Sequence, residues 1–105
     1  MEKALLSFSE MKNEGGEKIA IIGDMLELGD VSQTEHQKIV SLAAALHIDQ
    51  MVYVGKEFGK VINASKQLHF MDSSEAKGWF SEQKFKKILV LLKGSRGIKL
   101  EIIKD

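Results

Sequence analysis

The chain contains no cysteine and no proline. Without thiols there is no disulfide framework, no thiolate metal site and no cysteine nucleophile. That fits a reducing compartment, and the cytoplasm is the expected location. The lack of proline argues against a rigid or disordered linker inside the chain. An excess of charge is missing too, since fifteen Lys and Arg balance fifteen Asp and Glu. Neutrality removes the electrostatic reason to expect nucleic acid or an anionic membrane as partner, while leaving room for a local anion site. No apolar run approaches the roughly 20 residues of a membrane span. The start, Met1-Glu2-Lys3-Ala4-Leu5-Leu6, is too charged for a signal peptide, so no membrane insertion is expected. Internal repeats and low-complexity segments are absent as well.

What is present is the composition of a globular domain, 44% hydrophobic and 29% charged over 105 residues. A chain of this length forms one domain and buries roughly 60–70% of its unfolded surface. Apolar residues at helical spacing (Ala4, Leu5, Phe8, Met11) predict a helix within residues 1–14, ended by Glu14-Gly15-Gly16. Lys18-Ile19-Ala20-Ile21-Ile22-Gly23 is a continuous apolar run with a glycine stop, the pattern of a strand buried on both faces of a parallel sheet. Ser32-Gln33-Thr34-Glu35 has the form of a capping box, with Ser32 as N-cap. The helix it opens carries Ile39, Val40, Leu42, Ala43 and Leu46 to about His47. Gln50 to Gly55 reads as a second strand, Glu57 to Ala64 as a short helix, and Leu68 to Met71 as a third strand. Asp72-Ser73-Ser74 caps a helix to about Gln83, with Ala76, Trp79 and Phe80 inward. Lys87 to Leu92 is the fourth and most apolar strand, and the pattern of 98–103 suits either a last helix or a strand. Alternation of this kind implies right-handed βαβ units. The expected fold is therefore α/β and Rossmann-like: a mainly parallel sheet of four or more strands with helices on both faces.

In such sheets ligands sit beyond the C-terminal strand ends. Three ends carry small or polar residues and should share one edge: Gly23-Asp24, Gly55-Lys56 and Lys93-Gly94-Ser95-Arg96. At the last of these, glycines let backbone N–H groups approach an anion, and a helix starting at Ser95 would add its positive end. Lys93 and Arg96 add full charges, and Arg96 can grip a carboxylate or phosphate through two parallel bonds. A strand-to-helix turn with solvated basic residues explains the same segment. Asp24 suits a ribose hydroxyl or a cation, and equally an Asx-turn or loop cap. His36, His47 and His69 lack metal-ligand spacing and read as structural or solvated, with His36 the least secure in that role. Trp79 and Phe80 sit at core spacing. Lys84, Lys86 and Lys87 read as a solvated turn. There is no P-loop or dinucleotide glycine motif, and no nucleophile–base pair stands out.

Gly23-Asp24-Met25-Leu26-Glu27-Leu28-Gly29, then Glu35-His36, then Val54-Gly55, and finally Leu92-Lys93-Gly94-Ser95-Arg96-Gly97 form a set. Together they resemble the C-terminal domain of the Mur ligases, in the branch that handles a dipeptide, and the likeness covers nearly the whole chain. The resemblance implies a three-domain enzyme of peptidoglycan synthesis, with roughly 300 residues upstream of this domain. It implies ATP-dependent amide formation: the carboxylate of UDP-N-acetylmuramoyl-tripeptide becomes an acyl phosphate, which the amine of D-alanyl-D-alanine attacks. ATP and Mg are the implied cofactors of the full-length enzyme. None is expected on this fragment, whose residues 1–105 would be one excised domain, inactive alone and monomeric. The family's P-loop and magnesium-binding residues belong to the missing central domain, and the asparagine-rich motif that normally precedes the first helix is absent. Carried over by position, Asp24 is implied at the nucleotide ribose. Lys93, Gly94, Ser95 and Arg96 are implied at the dipeptide carboxylate. His36 and Glu27 match recurrent positions of unassigned role. A stand-alone anion- or nucleotide-binding module, and an amide ligase with another acceptor, are the alternative readings.

Overall fold

The computed structural model describes residues 2–12, 16–25, 29–62, 68–83 and 88–94. Its elements run α1 (Glu2–Glu10), β1 (Glu17–Gly23), a 3-10 turn (Gly29–Val31), α2 (Ser32–Ala44), β2 (Gln50–Val54), α3 (Lys56–Gly59), β3 (Leu68–Phe70), α4 (Ser73–Glu82) and β4 (Ile88–Lys93). The four strands form one sheet in the order β3-β2-β1-β4, with every pairing parallel. The alternating α/β plan expected from the apolar runs is the one observed.

Strand pleating sorts the core into two layers. Ala20, Ile22, Met51 and Tyr53 point to one face, where Leu5 and Phe8 of α1, Ile39, Val40 and Ala43 of α2, and Phe58 of α3 cover them. Ile19, Ile21, Val52 and Val54 point to the other, against Ala76 of α4 with Trp79 and Phe80 half-buried beside it. β1 is central, and its last five residues are all buried. β4 is the most apolar strand, yet Ile88 to Leu92 are only half-buried. The sheet order accounts for this, because β4 pairs with β1 alone among the described residues.

Several boundaries differ from expectation. α1 stops at Glu10, leaving Met11 half exposed beyond it. α2 stops at Ala44 rather than His47. Ser32 does not cap α2. A 3-10 turn leads into the helix, Val31 occupies the cap position, and the Ser32 hydroxyl donates instead to Glu57 Oε1 at 2.8 Å. α3 is one short turn ending at Gly59, not a helix to Ala64. At α4 the cap is as expected, with Asp72 Oδ1 accepting from the Glu75 N–H at 2.9 Å. Glu27, Ser95, Arg96, the lysine run at 84–87 and the tail at 98–103 lie outside the described residues.

Candidate functional site

Strand order locates the cleft. From β1 the chain adds β2 and then β3 on one side, and β4 returns to the opposite side of β1. The reversal makes the gap between the ends of β1 and β4 the topological switch point, where open α/β sheets bind ligands. Ile22 pairs with Lys93, and Gly23 pairs with Val54. The ends of β1, β2 and β4 therefore lie side by side, about 5 Å apart per strand. Two segments nearly seventy residues apart in sequence, at Gly23-Asp24 and at Lys93-Gly94, thus become neighbours. Lys93 and Gly94 are both exposed at this edge.

Asp24 turns away from the switch point. It is 1% exposed, and its carboxylate reaches the start of α3. Oδ2 accepts from the Glu57 N–H at 2.9 Å, and Oδ1 accepts from the Phe58 N–H at 3.0 Å. Its own N–H donates to Val54 O at 3.0 Å. The carboxylate thus satisfies orphan donors at the start of α3, a capping role delivered from another strand. Of the roles open to Asp24, this geometry displays a cap, and neither oxygen is turned to solvent.

Gly55 makes that reach possible. Its backbone sits at φ 120° and ψ 160°, a region open essentially to glycine. A Cβ there would lie 2.3 Å from Asp24 Cγ and Oδ2. The turn is held from β3 as well: Gly55 N–H donates to Phe70 O at 2.8 Å, and His69 Nε2 lies 2.6 Å from Gly55 O.

His36 closes the group. It is fully buried on the first turns of α2, edge-on to the Phe58 ring at 4.6 Å. The Met25 N–H donates to its Nε2 at 3.0 Å, and its Nδ1 lies 2.6 Å from Ser32 O. The ring stands 3.9 Å from Asp24 Oδ1, at the limit of an ion pair. Because Nε2 already accepts an N–H, we read a neutral ring rather than a charged one. Glu57, held by the Lys60 ammonium and the Ser32 hydroxyl, titrates below its ordinary value. His36 and His69 are both in contact with backbone groups, and His47 is exposed. The partners Ser32, Gly55 and Glu57 had no local signal as a set. Asp24 meets Glu57 and Phe58 across 33 and 34 positions, and only the glycine after β2 hinted at a close approach.

No group of three or more acidic or histidine side chains able to hold a metal ion occurs among the described residues. Both oxygens of Asp24 take N–H donors within the fold, so this carboxylate does not fit a role as a Mg ligand. A groove of about 710 Å³ opens elsewhere, between Glu2, Asp30, Gln37 and Lys38. None of the strand-end residues lines it, and we assign it no role. No described helix is long and apolar enough to cross a membrane.

No family model matches the chain. Individual proteins do. It is 32% identical over 111 residues to the UDP-N-acetylmuramoyl-tripeptide--D-alanyl-D-alanine ligase of Bacillus subtilis, covering 98% of this chain and 24% of that protein. The Escherichia coli protein of the same name is 34% identical over 91 residues, covering 82% of this chain and 20% of that one. Among solved structures, a crystal form of MurF from Acinetobacter baumannii superposes with a TM-score of 0.78 at 27% identity, over 99% of this chain and 24% of that one. MurF ligase from Thermotoga maritima in complex with ADP superposes with a TM-score of 0.65 at 28% identity, over 98% of this chain and 23% of that one. The chain spans about a quarter of the length of the curated relatives it matches.

Proposed function

We propose that this chain, which belongs to the Mur ligase family, is the C-terminal domain of an enzyme that adds D-alanyl-D-alanine to UDP-N-acetylmuramoyl-tripeptide. Residues 1–105 form one Rossmann-like unit of a three-domain ligase of peptidoglycan synthesis. The unit acts in the cytoplasm, where ATP and the nucleotide-linked precursor are available, and the enzyme works as a monomer. The observation that supports this reading is the pairing of Ile22 with Lys93, which brings the Gly23-Asp24 and Lys93-Gly94 strand ends side by side.

In the reaction, the tripeptide carboxylate attacks the terminal phosphate of ATP and releases ADP. The dipeptide amine then attacks the acyl phosphate, releasing phosphate and forming the amide. The transferred phosphoryl group and its Mg are handled by the other domains of the enzyme. The domain supplies a wall. Lys93, Gly94, Ser95 and Arg96 meet the dipeptide carboxylate, an anion suited to a basic glycine turn. The ribose of ATP meets the rim that Asp24 anchors.

The test is kinetic. In the intact ligase, Lys93→Ala and Arg96→Ala raise the D-alanyl-D-alanine KM about tenfold or more, while the ATP KM changes far less. Unchanged dipeptide kinetics would remove the assignment. The 105-residue chain alone binds ATP and the dipeptide weakly or not at all, because each ligand lacks its other wall. Tight calorimetric binding of either would favour a stand-alone anion- or nucleotide-binding module instead.

A further inference from the structure

His36 does more than fill the core. Two backbone groups of fixed polarity meet its ring. Met25 N–H can only donate, so Nε2, at 3.0 Å, presents its lone pair. Ser32 O can only accept, so Nδ1, at 2.6 Å, carries the proton. The Ser32 hydroxyl, 3.3 Å from Nδ1, spends its own proton on Glu57 and is a second acceptor for the ring. The two contacts therefore select the neutral tautomer with the proton on Nδ1. An imidazolium, or the opposite tautomer, would set a ring N–H against the Met25 N–H.

The ring bridges two parts of the rim. Met25 is the first residue after Asp24, where the chain leaves β1. Ser32 begins α2. On its other side the ring lies against Phe58, whose N–H the Asp24 carboxylate holds. One side chain thus touches the exit of β1, the start of α2 and the turn of α3.

We propose that His36 is a positioning residue: as the Nδ1–H tautomer it tethers the Met25 backbone and fixes the exit of β1 beside Asp24 at the ribose side of the ligase cleft. The inference deepens the ligase reading and rests on it for the ribose side alone. Packing by itself would not require a lone pair on Nε2.

The test uses the intact protein with its histidine ring nitrogens isotopically labelled. NMR finds Nδ1 protonated and Nε2 bare at neutral pH, and a His36 ring found as imidazolium or Nε2–H overturns the tether. Two variants separate tether from packing. His36→Gln keeps an acceptor near the Nε2 position, whereas His36→Phe keeps the ring and loses the acceptor. Met25 amide exchange speeds up about tenfold or more in His36→Phe and stays near wild type in His36→Gln. In the intact ligase the ATP KM rises about tenfold in His36→Phe and recovers in His36→Gln. Equal amide protection in the two variants, or an ATP KM that ignores both, overturns the proposal. The ring and amide readouts need no ligand. A protein with no ATP-dependent ligation would overturn the ligase reading, and those readouts would still decide the tether.

Discussion

Gly55→Ala is the substitution this fold should tolerate least for its size. The backbone at φ 120° and ψ 160° is nearly closed to a residue with a Cβ. Adopting it costs about 1–3 kcal/mol. The new methyl would also fall 2.3 Å from Asp24 Cγ, so the carboxylate has to move. Asp24 has no free space to take up, being 1% exposed with both oxygens bonded to α3. Losing one of those charge-assisted bonds costs about 1.5–3 kcal/mol more. The sum, roughly 2.5–6 kcal/mol, is a large share of a small domain's stability. Urea denaturation followed by Trp79 fluorescence reads it, since Trp79 is the only tryptophan. Gly78→Ala is the control: it sits in α4 with nothing within 4 Å of a new Cβ and should stabilise by about 0.5–1 kcal/mol. In an Asp24→Ala background the cost of Gly55→Ala should fall to the backbone part, about 1–3 kcal/mol. A loss below about 1 kcal/mol in the wild-type background would refute the account, as would a cost independent of Asp24.

Two further perturbations test the interior. Tyr53 is the only tyrosine, is fully buried, and its hydroxyl has no hydrogen-bond partner among the described residues. Burial pushes its pKa up from 10.0 to about 12, so the unfolded chain loses this proton first as pH rises. Stability is intact below pH 10.0 and falls by about 2–3 kcal/mol as pH climbs through about 12. Tyr53→Phe should flatten that alkaline limb and be neutral or about 1 kcal/mol stabilising at neutral pH; a clear loss at neutral pH would reveal a bonded hydroxyl. Glu57 behaves oppositely. Bonds from Lys60 and Ser32 hold its pKa below 4.5, so its contribution is present above that pH and disappears as acid protonates the folded form. Glu57→Gln should lower stability at pH 7 and converge with wild type in acid, and a constant gap between the two denaturation curves would contradict the pairing.

The strands were the most legible part of the fold, and the reason is burial. Ile19 to Ile22 and Met51 to Val54 are continuous apolar runs because helices cover both faces of the sheet. Caps were legible only where the partner is local. Asp72 meets Glu75 three residues on. Ser32 has the same local pattern, but Glu57, 25 positions away, takes its hydroxyl, and the helix starts from a 3-10 turn. α3 was overestimated because Val61 and Ile62 continue the apolar spacing, whereas the helix itself ends at Gly59. At the site, the Gly23-Asp24 and Lys93-Gly94 segments were both visible as strand ends. That they are neighbours follows from β4 crossing to the far side of β1, which no local pattern encodes.

The position of Asp24 bears on how a candidate binding edge can be both exposed and rigid. A strand end carries free backbone groups and few contacts, so it needs support from elsewhere to hold a ligand geometry. Here the support comes from the opposite side of β1. The Asp24 carboxylate and the His36 ring together engage the N–H groups of Met25, Glu57 and Phe58, three donors that would otherwise be orphaned around one strand end. α2, α3 and β2 are anchored in this way, and on the β4 side of β1 the described residues Lys93 and Gly94 are exposed. The acid after the first strand then supports the edge from one side of β1, and the end of the fourth strand lies on the other. Under the ligase function proposed above, substitutions at Asp24 and His36 should act first on stability and on the nucleotide side, and substitutions at Lys93 on the anionic substrate. Equal effects of all three on dipeptide KM would show that the two sides of β1 are not separate.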